Sequence, residues 1–304
     1  VMKNHMTPSR IANSIQQDSD FLGYNILVEG ETDIKLYKKL ACQNISKLKV
    51  TFGKEKMRDT YNILSERGFT RVIGIRDADF IRLNDNGKYD PEYSLNIFIT
   101  DSHDSEGMII QSQAFDDFLL EVSNEDNIIN FNKKYGCVRE HLYKLSYPLS
   151  CLRFANKKYD LGLAFKPVRP EGNQLKFKKF ICDKTLTYLG HEKLINTVIE
   201  YSKNRGSDIK DRDFILTKLA SVIELGLDEN EMTNGHDLAE ILFILCKKGL
   251  KSSNEGLKGG SSVESMLRLS YNKEYFALTE LYKRLNQWQE NNEVNIFTLF
   301  ANVA

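Results

Sequence analysis

The chain is poor in the residues that mark disulfide scaffolds, zinc sites and membrane spans. Its 304 residues include five cysteines, Cys42, Cys137, Cys151, Cys182 and Cys246. They form no CxxC pair and no metal-ligand spacing, so reduced thiols are expected rather than a disulfide framework or a zinc centre. No stretch approaches the run of about 18 apolar residues that a membrane span needs. The opening residues also lack the basic-then-apolar order of an export signal. The expectation is a cytoplasmic protein with no membrane association. Proline is scarce too, and three of the five, Pro148, Pro167 and Pro170, fall with Gly172 between Tyr147 and Cys182. That stretch is predicted to be extended or hairpin-like rather than helical.

Net charge is absent as well, with 42 basic and 42 acidic residues, but the balance is uneven along the chain. Between Phe131 and Lys210 there are 17 Lys plus Arg against 7 Asp plus Glu, so the rest sums to −10. A basic middle beside an acidic head suits a polyanion-binding protein with a metal site. A solvated lysine-rich surface explains the same counts equally well.

What the chain does contain is a recurring pattern of apolar runs that end on carboxylates. Tyr24–Val28 leads into Glu29, Gly30 and Asp33; Arg71–Ile75 leads into Asp77 and Asp79; Ser94–Thr100 leads into Asp101, His103, Asp104 and Glu106. Helical periods separate these runs, from Thr32 as N-cap to about Cys42, and from Lys54 to Arg67. A short strand is expected at Leu48–Phe52, and helices near Ser105 and over Ala114–Glu121. Alternation of this kind predicts βαβ units and a mainly parallel sheet, whose ligands gather at the carboxyl ends of the strands. Asp33 lies one helical turn after Glu29, and Asp77 and Asp79 share a face if the strand continues through them. Such a set offers oxygen ligands only, which suits Mg²⁺ or Mn²⁺ better than Zn²⁺. Without a cation the carboxylates would repel and raise one another's pKa values. Any one of them alone is more simply a helix cap or a turn residue; Glu29 together with the Asp77/Asp79 pair, at the ends of separate strands, favours the metal.

Leu27-Val28-Glu29-Gly30-Glu31-Thr32-Asp33 followed by Ile75-Arg76-Asp77-Ala78-Asp79 resembles the TOPRIM domain of topoisomerases, DnaG primases and OLD-type nucleases. Thr100-Asp101-Ser102-His103-Asp104-Ser105-Glu106 is similar to the signature of a TOPRIM subgroup in bacterial defence proteins, most like the effector nucleases of the PARIS anti-phage system. The Asn234-Gly235-His236-Asp237-Leu238 stretch fits the same subgroup. The resemblance covers about Tyr24 to Glu106 and thins beyond it. It implies that Glu29, Asp77 and Asp79 ligate one or two Mg²⁺ or Mn²⁺ ions, with Asp33, Asp104 and Glu106 completing the set and Asp101 a ligand or an orienting group. His103 and His236 are candidate catalytic groups, each with a structural reading beside it: a hydrogen-bond link among acids for His103, a helix-start residue for His236. It further implies phosphodiester hydrolysis in abortive-infection defence, tRNA as substrate, an ABC-class ATPase partner and an active homodimer. An OLD-type DNA nuclease or nickase and a non-catalytic TOPRIM scaffold are the alternatives. No feature marks any of the tyrosines as a topoisomerase-type nucleophile.

The expected architecture is therefore α/β: an N-terminal arm over residues 1–20, a TOPRIM domain, Rossmann-like, over 21–125, and a mostly α-helical region over 126–304. The helical period predicts helices over Ile128–Leu145, Leu189–Lys203, Asp211–Leu225, Gly235–Lys248 and Ser262–Asn291, with a glycine-rich loop over Ser252–Ser262. Within the basic segment (131–210), Lys157, Lys158, Lys166, Lys176, Lys178 and Lys179 are interleaved with aromatics. Lysines paired with rings suit nucleic acid. Rings that turn inward while lysines face water account for the aromatics more simply.

Overall fold

The computed structural model describes residues 5–83, 96–167, 172–203, 205 and 208–297. The polar loop Asn84–Lys88, the start of the strand expected from Ser94, and Pro170 lie outside the described residues. In chain order the elements are α1 (Pro8–Gln16), β1 (Tyr24–Val28), α2 (Glu31–Tyr37), β2 (Ser46–Val50), α3 (Lys54–Glu66), β3 (Val72–Arg76), β4 (Ile97–Ile99), α4 (Ser105–Gln111), α5 (Ala114–Val122), α6 (Glu125–Tyr135) and α7 (Val138–Tyr159). They continue with β5 (Ile181–Cys182), β6 (Thr187–Tyr188), α8 (His191–Ser202), α9 (Arg212–Glu224), α10 (Glu229–Met232), α11 (Gly235–Ile244), α12 (Gly260–Ser270), α13 (Lys273–Ala277) and α14 (Glu280–Asn291). The chain is α/β, with one four-stranded sheet in the order β2-β1-β3-β4, every pair parallel.

That order follows from burial. The central strands read as continuous apolar runs, with Ile26, Leu27 and Val28 of β1 and all of β3 buried, as a parallel sheet covered on both faces requires. Against one face, Ile11, Ala12 and Ile15 of α1 and Met57 and Leu64 of α3 form a cluster with Leu27 and Val72. Thr7 caps α1 and Pro8 opens it, where a missing N–H costs nothing. Within the N-terminal arm expected over 1–20, α1 is thus a short helix packed against the body as part of the sheet's cover.

The described residues divide into two compact units: one from the stretches up to Ala114 and from Arg268 onward, the other spanning Phe115–Leu267. The break falls at Ala114 and not near Glu125, and the stretch from Arg268 joins the first unit because the last helices return to the sheet. Trp288 of α14 packs edge-on against Tyr24 at 5.5 Å and Phe98 at 6.4 Å, and its indole N–H donates to Asn96 Oδ1 at 2.8 Å.

Beyond α5 three expectations need correction. The helix expected over Ile128–Leu145 is two, because Gly136 adopts φ +85° and ends α6. Pro148 does not break the chain but lies inside α7, a 22-residue helix. A proline here forfeits one backbone bond, yet α7 packs against α9, α10 and α11, and burial of Leu142, Leu145, Leu149 and Leu152 outweighs that loss. The stretch over Ser262–Asn291 is three helices, because Asn272 and Thr279 cap α13 and α14 by accepting from Tyr275 N and Tyr282 N, each at 3.0 Å. Gly235–Lys248 continues as expected but ends in a π-helical turn over Leu245–Gly249. A short antiparallel pair, β5 with β6, starts only at the end of the stretch expected to be extended or hairpin-like, and its second strand lies beyond Cys182.

Candidate functional site

The sheet order places a change of direction between β1 and β3: α2 leads outward from β1 to β2, and α3 leads back to β3. Crevices open at the carboxyl ends of strands at such a point. Glu29 follows β1 and Asp77 follows β3, so the two flank it.

Backbone and side-chain bonds stitch the loops after these strands together. Glu29 Oε1 accepts from Asp77 N at 3.2 Å, and Asp77 Oδ1 accepts from Ser105 N at 3.2 Å. Thr100 Oγ1 accepts from Ala78 N at 3.0 Å and donates to Ser102 O at 2.8 Å. Asp79 N donates to His103 O at 2.7 Å. The loop after β2 joins the same edge, because Gly53 N donates to Glu29 O at 3.0 Å and α3 then begins with Lys54.

Each acidic residue expected from the sequence has a definite place. Asp33 Oδ2 reaches back to accept from Gly30 N at 2.8 Å, so Gly30 and not Thr32 is the N-cap of α2. The strand argument for Asp77 and Asp79 does not hold, because β3 stops at Arg76 and Asp79 sits at φ +49° in the loop beyond. Asp79 Oδ2 instead lies 2.5 Å from Lys54 Nζ and 3.4 Å from Arg76 Nη2. Asp104 caps α4 by accepting from Gly107 N at 2.9 Å. Glu106 is buried, with Oε1 3.1 Å from Arg268 Nη1 and Oε2 accepting from Ser105 Oγ at 3.2 Å. Asp101 serves the architecture: its carboxylate accepts from Glu280 N at 2.6 Å and Leu281 N at 2.7 Å, capping α14.

The electrostatics show that these groups form one cluster. Burial pushes the Glu29 carboxyl up to about 7, with Asp79 and Asp33 adding to the rise and Arg76 and Lys54 opposing it. Asp77 is raised well above the usual carboxylate range, first by burial and then by Asp104, Asp33, Glu29 and Glu106. Burial also raises Asp33, with Asp104 adding. Asp79 goes the other way: burial pushes it up, but the hydrogen bond and charge of Lys54 outweigh that and its carboxyl is held low. The Tyr37 hydroxyl, fully enclosed and without a hydrogen-bond partner among the described residues, senses Asp33, Asp77 and Glu106.

Sequence reasoning missed the cations Lys54, Arg76 and Arg268. Arg76 stood within the quoted motif and Lys54 follows a third strand end, so both were legible; Arg268 carries no local signal. His103 is buried with its ring edge-on to Phe80 at 4.8 Å. His236 belongs to the second unit, at the start of α11, with Nδ1 2.6 Å from Glu264 Oε1.

The donor chemistry of Glu29, Asp33, Asp77 and Asp79 fits a hard divalent ion, since it is all oxygen and the acids destabilise one another's charges. Their placement is looser: among the described residues no three His, Cys, Asp or Glu side chains are arranged to hold a metal ion. Lys54 and Arg76 balance the charge instead.

In the basic segment, Lys157 and Lys158 are exposed at the end of α7, and Lys166, Lys176, Lys178 and Lys179 are exposed in the stretch that follows. The intervening Phe177 and Phe180 are buried, their rings 5.5 Å apart, so they are core and not stacking platforms. Arg153 is committed to Asp237 by two bonds of 2.6 and 2.8 Å. Among the described residues no helix is long and apolar enough to cross a membrane. No protein-family model matches the chain, and a search of curated proteins finds no match.

Proposed function

We propose that the first unit is a TOPRIM-type nuclease that hydrolyses phosphodiester bonds with Mg²⁺ or Mn²⁺. The observation that carries the reading is the gathering of buried carboxyls from separate strand ends, with Asp77 raised first by burial and then by Asp104, Asp33, Glu29 and Glu106. A divalent ion would relieve that repulsion, activate a water and stabilise charge on a phosphoryl oxygen. Glu29, Asp33, Asp77 and Asp79 are the residues that would hold it, with Asp104 and Glu106 close by. The chain's own groups do the rest. Ser105 N orients Asp77, Asp77 N orients Glu29, and Lys54 and Arg76 supply positive charge beside the acids for the anionic backbone of a substrate.

The further assignments rest on the sequence resemblance: a defence effector of the PARIS kind, bacterial and cytoplasmic, cleaving tRNA as a homodimer after release from an ABC-class ATPase. A non-catalytic module is the second reading, favoured by the cations already seated on the acids, Lys54 on Asp79 and Arg268 on Glu106. Purified protein incubated with Mg²⁺ and total tRNA or plasmid separates the readings. Cleavage of tRNA that disappears in Glu29→Ala and Asp77→Ala supports the first; cleavage of plasmid alone moves the assignment to a DNA nuclease. If neither substrate is cut by monomer or dimer with Mg²⁺ or Mn²⁺, the nuclease reading fails.

A further inference from the structure

β2 is an edge strand, paired only with β1 among the described residues. Beside it a cleft of about 310 Å³ is lined by Ile34 and Lys38 from α2 and its end, by Gln43, and by Lys47, Leu48 and Lys49 of β2. The cleft is open and strongly basic. Lys38 is exposed, and neither Lys38 nor Lys49 makes an ion pair among the described residues. Lys47 lies 2.8 Å from Asp18, and that carboxylate also senses Lys49. Asp18 therefore answers two of the three lysines, Lys47 and Lys49.

Lysines on an edge strand discourage another strand from pairing there, and that explanation accounts for Lys47 and Lys49. It does not account for Lys38, which comes from the far wall of the cleft, nor for the cleft itself. The register adds direction. Lys47 stands opposite Asn25 and Lys49 opposite Leu27, four and two residues before Glu29. With a rise of roughly 3.3 Å per residue and neighbouring strands roughly 4.8 Å apart, their Cα atoms lie roughly 14 and 8 Å from that of Glu29. The backbone positions of Lys47 and Lys49 thus step along the sheet edge toward the carboxylates, with Lys38 across the cleft from them.

We propose that this cleft binds the phosphodiester backbone of a single-stranded nucleic acid and leads it to the acidic cluster. A row of compact, separate ammonium groups matches a linear polyanion. A single phosphate is better met by converging donors or a planar arginine fork. Among the described residues no aromatic ring lines the cleft, and the nearby Phe21 is covered by the Lys47 ammonium 4.3 Å from its centroid, so the cleft holds phosphates without reading bases. The inference rests on the nuclease reading for its purpose, but its test does not depend on cleavage.

In EDTA, where no cleavage occurs, a fluorescent single-stranded oligonucleotide is titrated with the full chain and with the Lys38→Ala/Lys49→Ala variant at several salt concentrations. Loss of two phosphate contacts should lower the slope of log affinity against log salt by about 1.4. Acetylation footprinting on the unmodified chain gives an independent readout: the oligonucleotide should protect Lys38, Lys47 and Lys49 and leave Lys283, paired with Glu280, unchanged. An unaltered slope, absence of protection, or equal protection by inorganic phosphate at the same phosphate concentration would overturn the proposal. Failure to cleave in Mg²⁺ with the cleft still binding would count against the acidic cluster alone.

Discussion

The Glu29 carboxyl offers the sharpest test of the carboxylate cluster, because its protonation is linked to folding. Its folded value of about 7 lies above the unfolded value of 4.5. A raised carboxyl binds its proton more tightly in the folded chain. The stabilisation this gives is complete below 4.5 and is lost as pH rises through 7. The gap corresponds to roughly 3 kcal/mol of stability lost between pH 4.5 and 8.5. Glu29 is largely enclosed, its side chain 20% exposed, so solvent screening removes little of this. Other groups titrate over the same range, and Asp79, held low by Lys54, acts in the opposite sense by losing stabilisation on acidification. The informative quantity is therefore the difference between the Glu29→Gln variant and the natural chain, since glutamine imitates the protonated acid. Urea unfolding in EDTA, followed by the fluorescence of Trp288, reports on the right part of the molecule because the chain's single tryptophan packs on the same sheet. The variant should match the natural chain near pH 4.5 and exceed it by about 3 kcal/mol at pH 8.5. Millimolar Mg²⁺ should close most of that gap by stabilising the natural chain and not the variant. A stability difference that stays constant from pH 4.5 to 8.5 would refute the claim that Glu29 is held in a buried, charge-repelling site.

Other outcomes follow from the same contacts. Arg268→Ala leaves Glu106 buried without its cation and should cost about 3–5 kcal/mol in urea unfolding, with part recovered when Glu106→Gln is added. Asp101→Ala removes the acceptor for two backbone N–H groups at the start of α14 and should cost about 1–2 kcal/mol, seen as a lower unfolding midpoint with an unchanged urea dependence. Lys54→Met removes the hydrogen bond and charge that hold Asp79 low, so the Asp79 carboxyl should titrate at higher pH in a ¹³C-detected titration.

The acids themselves were legible in the sequence because a parallel sheet announces itself locally. Apolar runs such as Val72–Ile75 have nowhere to go but a doubly covered strand, and the residue after a strand end lands at the ligand-bearing edge whatever the distant packing. Glu29, Asp77 and the turn into α4 at Asp104 followed from that rule. Local pattern failed where distant packing decides. Pro148 stays helical because α7 is buried among its neighbours, and Asn272 and Thr279 break a period that looks continuous. Asp101 resembles a ligand in the motif and is a cap, because α14 returns to the sheet at a sequence separation of 179. The same return brings Arg268 onto Glu106. Sequence alone determined which strand ends carry carboxylates, since that depends on neighbours a few residues apart. Only the tertiary structure decided which of those carboxylates are buried, capped or matched by a cation, because the charges that settle it arrive from remote parts of the chain.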